Sequence, residues 1–281
     1  MSKINKLGVL GAGQMGSGIA QVGAQAGLGV VIVDVNAEAL QKARSVISKS
    51  LTKLEEKGKI TNAQEVLNRI EFISAMSALA ECDFVVEAVT ENEATKFKLI
   101  AELDTLCKPT TIIASNTSSI SITRIAGKTK RPTQVIGMHF MNPVPLMQLV
   151  EIIRGLQTSD ETYNLTKELS EKMGKTTVLS RDSAGFIVNR ILVPMINEAI
   201  YTLYQGIGNV EDIDQAMKLG TNQPMGPLTL ADFVGLDTVL SILEVFHESF
   251  GDKFKPCPLL KQYVDAGWLG RKTGRGFYTY Q

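Results

Sequence analysis

The sequence predicts an α/β fold, a doubly wound parallel sheet, followed by an all-helical C-terminal domain. In the first half, short apolar runs rich in β-branched residues alternate with longer amphipathic segments, which is typical of parallel strands joined by covering helices. From about residue 183 the apolar residues recur at spacings of three and four with no good strand, which is typical of packed helices. Since a chain of 281 residues suits about two domains, we expect domains at 1–184 and 185–281.

Six apolar runs are the predicted strands of the sheet, and a further strand is expected near Ile70. The runs are residues 7–10, 30–33, 84–89, 111–115, 135–140 and 149–153. Residues 37–56 and 95–106 are predicted helices; in the first of them Leu40, Ile47 and Leu51 recur near helical spacing. The charged segment near 36–69 is predicted to be a helical excursion from the sheet. The C-terminal helices are expected at 186–204, 210–219 and 228–250, separated by glycine and proline turns.

Composition and charge exclude several classes of partner. The 29 basic residues balance 29 acidic ones, so we expect no nucleic acid and no anionic membrane as the main partner. Cys82, Cys107 and Cys257 form no CxxC pair and have no histidines at ligand spacing, so we expect buried thiols, no disulfide and no metal site. The uncharged stretch 7–33 is too rich in glycine to cross a bilayer, and no secretory signal is recognisable, so a cytoplasmic location is expected.

Residues 11–16, GAGQMG, match the GxGxxG pattern of a dinucleotide-binding turn. The match directly follows the strand at 7–10, opens a predicted helix at 17–26 and is followed by a second strand that ends in Asp34. This context is that of a Rossmann-type fold, in which the glycines let the backbone approach a pyrophosphate at a helix N-terminus. Asp34 lies 18 residues beyond Gly16, where a carboxylate accepts both ribose hydroxyls and repels a 2′-phosphate, so we expect NAD rather than NADP. The alternatives are FAD, which can use the same pattern, and a glycine-rich turn with an exposed aspartate.

His139 and Glu151 are a candidate acid–base pair. His139 ends the predicted strand 135–140, at the carboxyl edge where open parallel sheets bind ligands. Glu151 lies between Val150 and Ile152 in an apolar run, and a carboxylate buried there needs a partner such as a histidine. Glu151 would hold one imidazole nitrogen and leave the other to take a hydroxyl proton. A structural histidine is the alternative for His139, and we expect such a role for His247, within a C-terminal helix.

Two polar clusters at strand ends leave both a structural and a functional interpretation open. Residues 115–119, SNTSS, close the strand 111–115 and could cap the following helix at 120–125 or donate hydrogen bonds to a nicotinamide ribose and a substrate oxygen. Glu91 and Lys96, just past the strand 84–89, could be a helix-start charge pair or cofactor contacts.

The chain resembles the L-3-hydroxyacyl-CoA dehydrogenase family over essentially its whole length, most closely the bacterial members that act on 3-hydroxybutyryl-CoA. Seven ordered blocks carry the resemblance: GAGQMGSGIA (11–20), VVEAVTENEATK (85–96), SNTSSISIT (115–123), RPTQVIGMHFMNPVPLMQLVEII (131–153), GFIVNRILVPMINEA (185–199), MGPLTLADFVGLD (225–237) and GRKTGRGFY (270–278). The resemblance implies an oxidoreductase that interconverts 3-hydroxyacyl-CoA and 3-ketoacyl-CoA with NAD. It also implies an acyl-CoA thioester as partner and a helical C-terminal domain that supplies a homodimer interface and part of the substrate cleft.

The resemblance further assigns roles to particular residues. His139 and Glu151 fall on the catalytic pair, and Ser118 and Asn189 fall on positions that contact the 3-oxygen or the thioester region of the substrate. Joined to the residues of the glycine turn, the positions expected to bind NAD are Gly11, Gly13, Gln14, Met15, Gly16, Asp34, Glu91, Lys96, Asn116, Ser118, Asn142 and Lys272. Ser50 and Lys57 fall on positions that touch coenzyme A, with Lys53 and Lys59 as neighbouring candidates for its phosphates.

Three other functions stay open at this point. A dehydrogenase for another 3-hydroxyacyl-CoA, such as 3-hydroxyadipyl-CoA, would share these motifs. β-Hydroxyacid dehydrogenases without coenzyme A join similar domains but commonly rely on a catalytic lysine. A non-catalytic NAD-binding protein would be favoured by loss of the His–Glu pair or of the SNTSS cluster, and both are intact.

Overall fold

The computed structural model describes residues 4–280, and the chain divides into two compact units, Met1–Ser183 and Ala184–Gln281. The first unit is built on one eight-stranded sheet. Its strands are β1 (Lys6–Leu10), β2 (Gly29–Val33), β3 (Ile70–Ile73), β4 (Phe84–Glu87), β5 (Ile112–Ser115), β6 (Val135–Phe140), β7 (Leu149–Arg154) and β8 (Thr176–Arg181). Their order across the sheet is β3-β2-β1-β4-β5-β6-β7-β8. The reversal between β1 and β4 leaves a crevice at their carboxyl ends, which is the ligand site of doubly wound sheets.

The predicted fold class is confirmed, and two strands differ in detail from the prediction. Strands β1 to β6 are parallel, whereas β7 runs antiparallel to β6. The connection between β6 and β7, residues 141–148, is too short for the crossover helix that a parallel neighbour needs. Strand β8, parallel to β7, was not predicted. It lies at the sheet edge and buries only Ser180, so its sequence carries no buried β-branched run.

Helices cover both faces of the sheet in the first unit. They are α1 (Gln14–Gln25), α2 (Ala37–Glu56), α3 (Ala63–Leu67), α4 (Glu93–Leu106), α5 (Ile122–Ala126) and α6 (Asp160–Lys172). One apolar core joins Leu7 and Val9 of β1 to Ile19 of α1, Ile47 of α2 and Leu169 of α6. On the opposite face, glycines of β1 and β6 leave room for Leu79 and Ile122, because a Cβ at Gly8 or Gly137 would overlap them. Helices α2 and α3 form the predicted excursion.

The second unit consists of helices with a separate core. The helices are α7 (Val188–Tyr204), α8 (Val210–Gly220), α9 (Pro227–Val234), α10 (Leu236–Phe250) and α11 (Pro258–Asp265). Their core contains Ile196, Leu228, Leu243 and Phe246, all almost fully buried. The single helix predicted at 228–250 is two helices, because Gly235 adopts a φ of +102° that ends the first of them.

The C-terminal segment after α11 is held by buried carboxylates. Asp232, 1% exposed, accepts hydrogen bonds from the backbone N–H groups of Phe277 and Tyr278 and from the Tyr280 hydroxyl, each at 2.9 Å. Asp214 accepts the Tyr278 hydroxyl at 3.0 Å. These contacts stabilise a segment that has only isolated β-bridges of its own. Within residues 4–280, we find no helix with both the length and the apolar character needed to cross a membrane.

Candidate active site

The glycine turn between β1 and α1 has a separate steric reason for each glycine. A Cβ at Gly16 would lie 1.8 Å from the Gly11 carbonyl oxygen, so Gly16 permits the turn itself. Gly11 has a φ of +106°, and a Cβ there would lie 2.6 Å from the carbonyl oxygen of Ala88, which follows β4. A Cβ at Gly13 would meet no protein atom within 4 Å. Gly13 and Gln14 are exposed at the N-terminus of the 12-residue helix α1, and Met15 is partly buried against the core. An anion fits at this helix N-terminus.

Asp34 follows β2 and lies beside this turn. Its Oδ2 accepts the Ala12 N–H at 2.8 Å, and its Oδ1 accepts the Asn36 N–H at 2.9 Å. Each carboxylate oxygen can accept a second hydrogen bond, so both remain able to bind hydroxyl groups. Together with the open space at Gly13, this carboxylate fits a dinucleotide whose adenine ribose carries free hydroxyls.

A second polar network follows β4 and β5. Lys96 of α4 donates to Glu87 at 2.7 Å and lies 3.3 Å from Glu91, and both Lys96 and Glu87 are almost fully buried. Glu91 in turn accepts the backbone N–H groups of Ser118 and Ser119, at 2.9 and 3.1 Å, and hydrogen bonds from the hydroxyls of Thr117, Ser118 and Ser119. Burial opposes the charge on Glu91, but Lys96 and these donors outweigh burial and lower the pKa of the Glu91 carboxyl.

This network bears on the structural alternatives that the sequence left open for Glu91, Lys96 and residues 115–119. Glu91 and Lys96 do more than begin a helix, because Lys96 contacts Glu91 and Glu91 accepts hydrogen bonds from residues 117–119. The cap of the following helix α5 is Ser121, whose hydroxyl accepts the Arg124 N–H, and not a residue of 115–119. Asn116 accepts the Phe140 N–H at 2.9 Å, so the polar segment is fixed beside the end of β6.

His139 and Glu151 face each other across the antiparallel pair β6 and β7. The two residues are direct partners in the register, and His139 Nδ1 lies 2.7 Å from Glu151 Oε2. His139 is 7% exposed and Glu151 is 0% exposed. Opposite an ionised carboxylate, which can only accept hydrogen bonds, Nδ1 would be the donor, and Nε2 would be the nitrogen left for proton exchange.

The remaining predicted residues of the first unit lie outside these two networks and the His139–Glu151 pair. Asn142 is exposed in the β6–β7 connection, next to the cis peptide bond to Pro143. Ser50, Lys53 and Lys57 follow one another at spacings of three and four, so they share one face of α2 and its C-cap, and both lysines are exposed. Lys59, two residues beyond the cap, is also exposed.

Three residues singled out in the sequence belong to the second unit. Asn189 is partly buried in the first turn of α7. Lys272 contacts both carboxylate oxygens of Asp237 at 2.5 Å. His247 pairs with Asp252 at 2.9 Å, with the histidine side chain 38% exposed.

Comparison with known proteins identifies the family. The NAD binding domain model of 3-hydroxyacyl-CoA dehydrogenase matches residues 6–183, and the C-terminal domain model of the same enzyme matches residues 185–280. The chain belongs to the 3-hydroxyacyl-CoA dehydrogenase family. The dehydrogenase is therefore NAD-dependent, as the glycine turn and Asp34 predict.

Similar proteins match this dehydrogenase over nearly their whole length. A probable 3-hydroxybutyryl-CoA dehydrogenase of Deinococcus radiodurans is 58% identical, over 98% of this chain and 100% of the relative. Another, of Bacillus subtilis, is 55% identical, over 99% of this chain and 98% of the relative. The crystal structure of (S)-3-hydroxybutyryl-CoA dehydrogenase from Ralstonia eutropha is 48% identical and superposes with a TM-score of 0.96, covering 99% of this chain and 100% of that one.

Glu87 and Lys175 are among the buried charges of the dehydrogenase that the sequence argument missed. Glu87 is the fully buried partner of Lys96, and Lys175 donates to the carbonyl oxygens of Val144 and Met147 at 2.6 and 2.8 Å. Burial of Lys175 lowers the pKa of its ammonium. Glu87 lies within the apolar run FVVEAV. A carboxylate within an apolar run is also the signal that indicated Glu151. Among residues 4–280, no group of three or more histidine, cysteine, aspartate or glutamate side chains is placed to hold a metal ion.

Proposed function

We propose that this chain is an NAD-dependent 3-hydroxybutyryl-CoA dehydrogenase, which interconverts 3-hydroxybutyryl-CoA and acetoacetyl-CoA. The observation that carries the proposal is the buried His139–Glu151 pair on adjacent strands of an NAD-binding sheet. The substrate class is supported by relatives named for 3-hydroxybutyryl-CoA at 55–58% identity. The alternatives change the acyl group or remove coenzyme A, and they are outcomes of the test below.

His139 is the general base and acid in this proposal. When bound between these residues, NAD would supply the acceptor for the hydride on C3 of the substrate, and NADH would supply the hydride in the reverse direction. His139 Nε2 removes the 3-hydroxyl proton in oxidation and protonates the developing alkoxide in reduction. Glu151 accepts the Nδ1–H, orients the ring and stabilises the imidazolium that forms when Nε2 takes the proton.

The other assigned residues bind and orient. We propose that residues 11–16 hold the pyrophosphate, that Asp34 binds the adenine ribose, and that Glu91, Lys96, Asn116, Asn142 and Lys272 contact the nicotinamide half. Ser118 and Asn189 are proposed to orient the substrate near its 3-oxygen and thioester. Ser50, Lys53 and Lys57 share one face on which both lysines are exposed, and this face suits coenzyme A, since two ammonium groups there can meet phosphates.

A homodimer in the cytoplasm completes the proposal. The second unit exposes large apolar side chains, Ile191 at 68%, Ile207 at 71% and Leu219 at 74%, which suit an interface between copies. The mass of the protein in solution tests it: sedimentation should give twice the 30.5 kDa of one chain. A protein that sediments as one chain would contradict the dimer and leave the dehydrogenase proposal standing.

The decisive experiment follows the loss of NADH absorbance with acetoacetyl-CoA. We expect fast turnover with NADH, slow turnover with NADPH, and slower turnover with a longer 3-ketoacyl-CoA. Preference for the longer thioester, or for a 3-oxoadipyl-CoA, would reassign the acyl group. Turnover of a β-keto acid lacking coenzyme A, with none on any thioester, would contradict the proposal, as would NADH binding with no turnover of any substrate.

A further inference from the structure

Glu87 is a fully buried carboxylate beneath the crevice of the sheet, and no role has been given to it so far. It is the last residue of β4, the strand beside the reversal in strand order. Its neighbour Ala88 donates to Leu10 O at 2.7 Å and lies against Gly11 of the glycine turn. Glu87 therefore stands where the sheet is expected to bind its ligand.

Both carboxylate oxygens of Glu87 are used by residues that carry the polar network. Oε1 accepts Lys96 Nζ at 2.7 Å and the Val89 N–H at 2.8 Å, and Oε2 accepts the Ser115 hydroxyl at 2.6 Å. The carboxylate thus ties β4 to α4 and to the end of β5. An ion pair with both partners buried costs free energy of desolvation, and such a pair is weak as a device for stability alone.

Lys96 links the buried Glu87 carboxylate to the carboxylate of Glu91. Its side chain is 1% exposed, and its ammonium lies within 3.3 Å of Glu87, Glu91 and the Val89 carbonyl oxygen. Three protein acceptors match the three donors of an ammonium group. Glu91 then holds residues 117–119, and Asn116 is bonded to the backbone next to His139.

We propose that Glu87 is a positioning residue, which fixes Lys96 and through it sets the Glu91 carboxylate and residues 116–119 relative to His139 and the glycine turn. In addition to the NAD contact proposed for it above, Lys96 transmits this constraint to Glu91 and to the segment that Glu91 holds. The inference rests on the proposed function, because the segment is positioned for NADH and the 3-keto substrate. It predicts that Glu87 affects cofactor affinity although its carboxylate touches neither ligand.

The test measures NADH binding by fluorescence together with Tm for E87Q, K96M and the double variant. We expect E87Q, which keeps the side-chain shape but removes the charge, to weaken NADH binding about tenfold. K96M should weaken it at least as much. If Glu87 acts through Lys96, E87Q should have little further effect in the K96M background, so the two changes should not add.

A matched control separates positioning from simple loss of stability. Asp104 lies on the same helix α4 and forms a largely buried ion pair with Arg131 at 2.7 Å, and its carboxylate accepts hydrogen bonds from residues 130 and 131. D104N should lower Tm by a similar amount to E87Q and leave NADH affinity within about twofold of the unaltered protein. The double variant, which buries no unpaired charge, keeps the test usable if E87Q does not fold, because it can be compared with K96M alone.

The outcomes distinguish a positioning role of Glu87 from a general effect on stability. An E87Q protein that folds and binds NADH normally would overturn the inference, as would a double variant in which the two effects add. Equal loss of NADH affinity in D104N and E87Q would also overturn it, by showing a general structural effect. An unaltered protein that binds no NADH would overturn the proposed function as well, whereas normal NADH binding and turnover in all variants would overturn the inference alone.

Discussion

The chemistry proposed here depends on where single charged side chains are buried. Glu151 and His139 share one hydrogen bond in an environment closed to solvent on the carboxylate side. An ionised carboxylate at this distance would hold the proton on Nδ1, and the imidazole would then present one defined tautomer to a substrate. A histidine held in this way suits proton transfer in both directions of a reversible reaction.

The first prediction at this scale concerns His139→Gln. Glutamine cannot take up or release a proton at Nε2, so kcat with acetoacetyl-CoA should fall about 10²- to 10⁴-fold, the usual contribution of general acid–base catalysis. NADH affinity and Tm should change little. The matched control is His247→Gln, since His247 is the only other histidine and lies on the surface beside Asp252. Near-normal turnover in a folded His139→Gln protein that binds NADH would remove His139 from the mechanism.

The sequence indicates Glu151 as a functional residue but does not indicate Glu87, and the difference has a physical reason. Both stand inside apolar strands, and both therefore require a buried partner. A histidine 12 residues from Glu151 supplied an evident partner across a predicted strand pair. The partner of Glu87 is Lys96, which the sequence presents as part of an ordinary charged helix start. That a lysine turns inward there depends on how α4 packs on the sheet, which no local pattern records.

At the scale of elements, Gly13 and Gly16 lie in the same turn between β1 and α1, but they are needed for different reasons. Gly16 is excluded from carrying a Cβ by the Gly11 carbonyl oxygen, whereas Gly13 faces open space. In the sequence, both glycines match the GxGxxG pattern equally well. Only the backbone path shows that one is required by the fold, while the other leaves a volume that a ligand can fill.

This difference gives an element-scale prediction. Gly16→Ala should lower Tm markedly, because its Cβ would lie 1.8 Å from a backbone oxygen and the turn must move. Gly13→Ala should leave Tm nearly unchanged but weaken NADH binding by about tenfold or more, since a steric overlap costing about 1.4 kcal/mol suffices for that factor. Thermal unfolding and NADH titration of both variants test this. Normal NADH affinity in Gly13→Ala would show that the pyrophosphate does not lie against this glycine.

At the scale of the whole molecule, the sequence predicts the parallel sheet and the helical second unit because their apolar periodicities are long and regular. It does not predict β8 or the path of the C-terminal segment. The fixed position of residues 277–280 comes from Asp232, a carboxylate in α9 that lies 45 to 48 residues away in the chain. Long-range polar contacts of this kind carry no sequence periodicity, so they become visible only with the tertiary structure.

Each unit contains thiol or phenol groups whose pKa is raised in the folded chain, and the stability of the protein should therefore fall at alkaline pH. In the first unit, burial raises the pKa of the Cys82 and Cys107 thiols from 9.0 to about 12 and about 11. In the second unit, burial and the nearby carboxylates of Asp214 and Asp232 raise the pKa of Tyr278 and Tyr280 from 10.0 to about 12.

The sign of the effect follows from proton linkage. The folded chain binds these protons more tightly than the unfolded chain, so their contribution is complete below pH 9 to 10 and is lost as pH rises through about 11 to 12. We expect Tm to drop by several degrees over this window, since about 1 kcal/mol corresponds to about 2–4 °C in a protein of 150–250 residues. Calorimetry from pH 7 to 12 measures the drop.

Two substitutions, one in each unit, test the origin of this alkaline loss. Cys107→Ser removes a titrating thiol while keeping a donor for the Leu79 carbonyl oxygen, which Cys107 Sγ contacts at 3.6 Å. Tyr280→Phe removes the phenol that donates to Asp232 at 2.9 Å. The Tm of each variant at pH 7 is its own reference. The fall in Tm between pH 9 and 12 should be smaller in each variant than in the unaltered protein, because fewer protons are released on unfolding. A Tm curve as steep as that of the unaltered protein in both variants would assign the alkaline loss to other groups.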